Sequence, residues 1–137
     1  MMRGVVRHVV LTAVALVAAA VSAFGHLDIL MNNAGVSANA LAEEMARETW
    51  DKVLAVNLTA PFLICQQAIP HLKASGAGRI INVASVMAEG TNFGLSAYCA
   101  SKAGITGLTR TLALELGKFG ITANWLQPGA KIGRAHV

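Results

Sequence analysis

Apolar and polar positions change period several times along the chain, and each change marks an element. Leu27 to Asn33, LDILMNN, is a short apolar run closed by Asn-Asn-Ala-Gly, the pattern of a buried strand entering a turn. From about Glu43 to Ala74 the apolar residues fall in a helical pattern: Trp50, Val53, Leu54, Val56, Leu58, then Phe62, Leu63, Ile69 and Leu72. Ser75 to Gly78, SGAG, breaks that pattern, and Arg79 to Ser85, RIINVAS, reads as a second buried strand. A loop rich in Gly and Asn follows, then a second helical pattern from Ser96 to Phe119 with Gly120 as its stop signal. Ile121 to Gly129, ITANWLQPG, reads as a third strand closed by Pro128-Gly129. Strand, helix, strand, helix, strand predicts an α/β fold with a parallel sheet. Ligand chemistry in such sheets gathers at the carboxyl ends of the strands, where Asn33, Ser85 and Pro128-Gly129 all fall.

The first segment, Met1 to Ala23, fits two readings. A basic start, an apolar run and the small residues Val21 to Ala23 resemble a secretory signal. The run also fits an alanine-rich helix leading into Phe24 and Gly25, and it is too short and alanine-rich for a membrane span. With 137 residues the chain supports one domain with a modest core. The net charge of +4 comes from the ends: between Ala13 and Ala130 there are seven Lys plus Arg against seven Asp plus Glu. No basic patch with interleaved aromatics exists, so a nucleic-acid partner is not expected. Cys65 and Cys99 lack any CxxC spacing and read as free thiols of a reducing, cytoplasmic compartment. The four histidines are scattered, so no metal site is expected.

Candidate chemistry starts from the one tyrosine. Tyr98 precedes Lys102 by four residues, so a helix puts both on one face. An ammonium beside a phenol favours the phenolate, which suits a tyrosine to general acid–base work; the plainer reading is a surface pair. Ser85 ends the second strand thirteen residues before Tyr98, so both can face one crevice, with the Ser hydroxyl donating to a substrate carbonyl; alternatively Ser85 is a loop or cap residue. Asn57 sits mid-helix, four residues before Pro61, which has no N–H for the Asn57 carbonyl. That carbonyl is free to hold a water that connects Lys102 to solvent, or Pro61 merely bends a long helix.

These residues carry a resemblance. NNAG at Asn32 to Gly35, the set Asn57, Ser85, Tyr98 and Lys102 with its Ser-x12-Tyr-x3-Lys spacing, and Pro128-Gly129 resemble the short-chain dehydrogenase/reductase family, of the kind that reduces 3-oxoacyl thioesters or oxidises small alcohols. The match covers roughly Ala15 to Ala130, and LVAAAVSAFGHLDIL resembles the family's helix before its fourth strand, which favours the helix over the signal peptide. The resemblance implies part of a doubly wound Rossmann-type sheet and hydride transfer between NAD or NADP and a small carbonyl or alcohol substrate. It implies Tyr98 as acid/base, Lys102 as its modulator and ribose ligand, Ser85 as substrate-orienting donor and Asn57 as anchor of the proton relay. Asn33, Ala34, Gly35, Pro128 and Gly129, with Tyr98 and Lys102, are the implied cofactor contacts. A homo-oligomer is implied for a full-length parent, with Trp50, Phe62, Leu108 and Leu112 as candidate contacts between copies, and neither a membrane nor a metal is implied.

The family's opening strand, its TGxxxGIG turn and its second strand have no counterpart here; the one GxG, Gly76 to Gly78, precedes a strand, whereas a phosphate cradle follows one. Residues 1–14 are therefore an unassigned segment, 15–130 the catalytic half of the domain, and 131–137 an expected non-native tail. KIGRAHV, Lys131 to Val137, is encodable as a sequencing-library adaptor, a hypothesis that an intact genome carrying the same tail would end. The expectation is an oxidoreductase fragment, inactive by itself; the alternative is a non-catalytic binding or assembly module, exported if the signal reading of the first segment holds, that keeps the same core.

Overall fold

The structure, a computed structural model, describes residues 2–129. The segment 131–137 read as a non-native tail lies outside the described residues. Helix α1 runs from Met2 to Phe24, followed by strand β1, Ile29–Asn32. Helix α2, Arg47–Leu54, passes through a π-helical turn at Ala55–Thr59 into α3, Ala60–Ser75. Strand β2 is Arg79–Val83, helix α4 is Ser96–Leu116, and strand β3 is Thr122–Leu126. The expected order therefore stands, with shorter strands and a later helix start. The expected start near Glu43 fails because residues 42–44 form a turn; the helix begins when Thr49 and Trp50 donate to the carbonyl of Ala46. Both long helical runs end on a glycine at φ +71°, Gly76 and Gly120, a conformation that a side chain would strain.

The three strands are parallel in the order β1-β2-β3. Their register aligns Leu30 with Ile80 and Ala123, and Asn32 with Asn82 and Trp125. Parallel pairing puts each aligned set on one face. The face of Leu30, Ile80 and Ala123 is covered by Val17 of α1, by Cys65, Ala68 and Leu72 of α3 and by Leu112 and Leu116 of α4. On the opposite face Ile29, Met31 and Leu126 remain 61%, 51% and 48% exposed.

By length and composition the run Arg47–Ser75 is apolar enough to cross a membrane, yet Cys65, Ala68 and Leu72 turn it into a core helix against the sheet. Leu112, expected at a contact between copies, belongs to the core instead, because its face of α4 is the one that meets the sheet. Phe62, half exposed, and Leu114, 86% exposed, lie on the outer surface of the helices.

Candidate active site

The three strands end side by side, and the residues just beyond their carboxyl ends line a cleft of about 450 Å³. Asn33, Gly35, Val36 and Ser37 come from the turn after β1, and Val83, Ala84 and Ser85 from the end of β2. Leu95, Tyr98 and Lys102 come from the start of α4, and Pro128 from the turn after β3. That volume is in the range of small-molecule sites. Of the residues named from sequence, Asn33, Gly35, Ser85, Tyr98, Lys102 and Pro128 meet here. Ala34 and Gly129 are exposed neighbours that do not line the cleft.

Helical spacing turns Tyr98 and Lys102 to the same side of α4. The Lys102 Nζ lies 5.7 Å from the centre of the Tyr98 ring and donates a 2.7 Å hydrogen bond to the carbonyl of Val83 at the end of β2. Lys102 is 4% exposed, and burial pushes its pKa below the usual lysine value because a charged ammonium is poorly solvated there. A Cβ at Gly35 would stand 3.4 Å from both Lys102 Nζ and Asn57 Oδ1, so the turn after β1 passes directly over the ammonium.

Ser85 lies two residues past the end of β2. It is 8% exposed and caps the short 3₁₀ turn Val86–Ala88, its Oγ accepting from the Met87 N–H at 3.1 Å. Ser85 is thus a cap residue that also lines the cleft.

Asn57 sits inside the π-helical turn, where the Ala60 N–H reaches back five residues to the carbonyl of Ala55. Pro61 supplies the physical reason, since it removes the N–H that regular α-helix geometry would offer Asn57. The Asn57 side chain, 1% exposed, grips the peptide of Val36 at two points: Oδ1 accepts from the Val36 N–H at 2.8 Å, and Nδ2 donates to the Val36 carbonyl at 2.8 Å. Nδ2 also donates to Ser101 Oγ at 3.0 Å. A flipped amide would set donor against donor and acceptor against acceptor, so the orientation is fixed by its partners. Asn57 therefore clamps the turn that lines the cleft.

Sequence reasoning missed three participants. Val83 offers a main-chain oxygen, which no side-chain pattern signals. Ser101 lies immediately before Lys102, and nothing in its local sequence sets it apart from other small helix residues. The third is a buried chain under the site. Asn32 Nδ2 donates to Asn82 Oδ1 at 2.8 Å and approaches Cys65 Sγ at 3.4 Å, and Asn82 Nδ2 donates to Thr109 Oγ1 at 2.8 Å. Its signal was available as polar residues inside two apolar strands. Cys65, buried beside it, has its thiol pushed up to about 11 by burial and is held as an unreactive thiol. Among the described residues no buried side-chain nitrogen or oxygen lacks a partner.

The sequence matches the short chain dehydrogenase family over residues 11–131. It is 47% identical over 106 residues to a D-beta-hydroxybutyrate dehydrogenase of Rhizobium meliloti, covering 77% of this chain and 41% of that protein. It is 42% identical over 115 residues to the 3-oxoacyl-(acyl-carrier-protein) reductase FabG of Staphylococcus aureus, covering 84% of this chain and 47% of the reductase. A short-chain dehydrogenase/reductase, FrzI, of Cladobotryum shares 41% identity over 115 residues. The chain thus spans less than half the length of these relatives. A parallel α/β core matched by the family along nearly its whole length places the chain in the short-chain dehydrogenase family.

Proposed function

We propose that residues 15–130 form the catalytic half of an oxidoreductase that exchanges hydride between NAD or NADP and a small carbonyl or alcohol, with Ser85, Tyr98, Lys102 and Asn57 as its working residues. The convergence of Ser85, Tyr98 and Lys102 with Asn33, Gly35 and Pro128 in one cleft supports this reading. The donor set fits the nicotinamide ribose: Lys102 Nζ and the Tyr98 hydroxyl can meet sugar hydroxyls, and the missing Cβ of Gly35 leaves the turn close to Lys102 Nζ. When bound, the nicotinamide supplies or accepts the hydride.

The chain's own groups handle the oxygen and its proton. Ser85 donates its hydroxyl proton to the substrate oxygen and so fixes the carbonyl. Tyr98 delivers the proton to that oxygen in reduction and takes it in oxidation. Lys102 puts positive charge 5.7 Å from the ring centre, where it offsets the negative charge that the phenol develops. The Asn57 carbonyl, which gets no N–H from Pro61, holds the water through which Lys102 is reprotonated. In a longer protein carrying this half, Tyr98→Phe is expected to keep the fold and lower turnover by about two to four orders of magnitude. Near-normal turnover would remove Tyr98 from the mechanism.

The pyrophosphate of a dinucleotide is best held by closely spaced glycines in a short turn from a strand into a helix N-terminus, whereas the two strand-to-helix connections among the described residues, 33–46 and 84–95, are long and carry no GxG. Residues 1–137 alone are therefore expected to show no NADH or NADPH binding by calorimetry at sub-millimolar concentration. A substrate of the 3-hydroxyacid or 3-oxoacyl class is the natural first choice for a longer protein, after the relatives named above. That protein is proposed to assemble from copies and to work in the cytoplasm.

A further inference from the structure

We propose that Ser101 is a positioning residue that joins the proton-relay residue and the acid/base residue into one hydrogen-bonded unit; this rests on the roles proposed above for Asn57 and Tyr98. Ser101 is wholly buried, and its one hydroxyl is used twice. It donates to the main-chain carbonyl of Tyr98 at 2.7 Å and accepts from Asn57 Nδ2 at 3.0 Å. The first bond consumes the only proton of the hydroxyl, so a lone pair is left facing Asn57. Asn57 in turn needs that acceptor, because its other contacts, both to Val36, leave one N–H of the amide unused.

The connection runs from the turn over the cleft to the turn that carries the phenol: Val36 peptide, Asn57 amide, Ser101 hydroxyl, Tyr98 carbonyl. The first two links cross between elements, from the turn after β1 to the π-helical turn and from there to α4, and the third stays within α4. Hydrogen bonds in such a buried series polarise one another, so losing the middle member weakens the outer ones. A second observation shows how closely the elements must approach. A Cβ on Gly104, three residues after Ser101, would lie 2.7 Å from Leu58 Cδ2, next to Asn57. The bare glycine lets α4 and the π-helical turn come near enough for a side chain as short as serine to bridge them. A hydrophobic residue at position 101 would fill the space but leave an Asn57 N–H buried without an acceptor, which frees the amide to rotate away from Val36.

The experiment is side-chain amide hydrogen exchange at Asn57 by NMR on the 137-residue chain, with the main-chain amides of Ile80 and Leu112 as the measure of the fold. Ser101→Ala should speed exchange of the Asn57 side-chain hydrogens by about tenfold, the scale of one lost buried hydrogen bond, and shift the Val36 amide signal, while Ile80 and Leu112 keep their protection. Ser101→Thr, which returns the hydroxyl, should restore slow exchange. Ser101→Cys, with a weaker acceptor of similar size, should fall between serine and alanine and serves if the alanine variant does not fold. Unchanged Asn57 exchange in the Ala or Cys variant overturns the proposal, as does equal loss of protection at Ile80, which makes Ser101 merely a core residue. The readout needs no turnover, so the two readings fail separately. A longer protein whose Tyr98→Phe variant works normally removes the catalytic reading, whereas an indifferent Asn57 signal removes this one.

Discussion

The two faces of the sheet differ in what holds them. On the helix-covered face, Ile80 is fully buried and Leu30 and Ala123 pack beside it, and the polar groups near the strand ends, Asn32, Asn82 and Thr109, are bonded to one another. On the other face the aligned Met31, Ile81 and Asn124 meet no such layer, and Met31 is half exposed. The same three strands therefore carry one side where each atom is committed and one where it is not. The cleft draws its groups from the committed side: Lys102 belongs to the helix that packs there, and Asn57 to the helical run beside it. The site is therefore anchored by hydrogen bonds among helices and strand ends, and the apolar outer face contributes little to holding it.

That contrast can be tested by substitution. The largest effect on stability is expected for Ile80→Ala, which leaves a cavity in the covered face and should cost about 2–5 kcal/mol in denaturant titration. Asn57→Ala follows. It strips the Val36 peptide and Ser101 of their partners in a dry setting and should cost about 2–4 kcal/mol; a cost under 1 kcal/mol would mean that water takes over those bonds. Thr109→Val keeps the shape of the side chain but leaves Asn82 Nδ2 unpaired, at about 1–3 kcal/mol. On the open face, Met31→Lys should change stability by no more than about 0.5 kcal/mol and improve solubility. A large loss from Met31→Lys would break the comparison, since it would show that the open face is packed in solution.

The smallest effect is electrostatic. Lys102 titrates below 10.5 in the folded chain because burial disfavours its ammonium, whereas the unfolded chain keeps the ordinary value. Between the two values the unfolded state binds more protons, so the contribution of Lys102 to stability rises with pH across that window. Below it, the buried ammonium is a constant cost. Lys102→Met should flatten this part of the stability profile, measured by denaturant titrations between neutral pH and pH 10.5 against the unaltered chain. A profile with the same slope in both would mean that water reaches the ammonium.

Much of this was legible in the chain. Strand ends and helix stops follow from apolar runs closed by Gly, Asn and Pro, and the four-residue step from Tyr98 to Lys102 needs nothing but helix geometry. Pro61 announced an irregular turn at Asn57, and the π-helical turn is its form. What stayed hidden depends on contacts between distant positions. The grip of Asn57 on Val36 spans twenty-one residues and its bond to Ser101 forty-four, and no local pattern encodes either. Ser85 was ambiguous for another reason: a residue that caps a turn can also line a cleft, so position at a strand end does not choose between the two. The start of α2 misled because Glu43 to Ala46 have helical composition, and Ala46, which precedes the first turn, offers no side-chain cap to mark the boundary.

The π-helical turn also acts as a phase correction. Val53 and Cys65, both buried, stand twelve residues apart. At about 100° per residue an unbroken α-helix would point them some 120° away from one another. The one residue that the wide turn takes up brings that difference back to about 20°, so a single rod keeps the same side inward before and after Asn57. Forcing the same residues into an unbroken α-helix would rotate the second half by about 100° and swing Cys65, Ala68 and Leu72 off the sheet, whereas removing one residue between Ala55 and Thr59 would keep the phase and lose only the wide turn. The widened turn is thus part of how this helical run is indexed to the core, as well as the place where Asn57 is held.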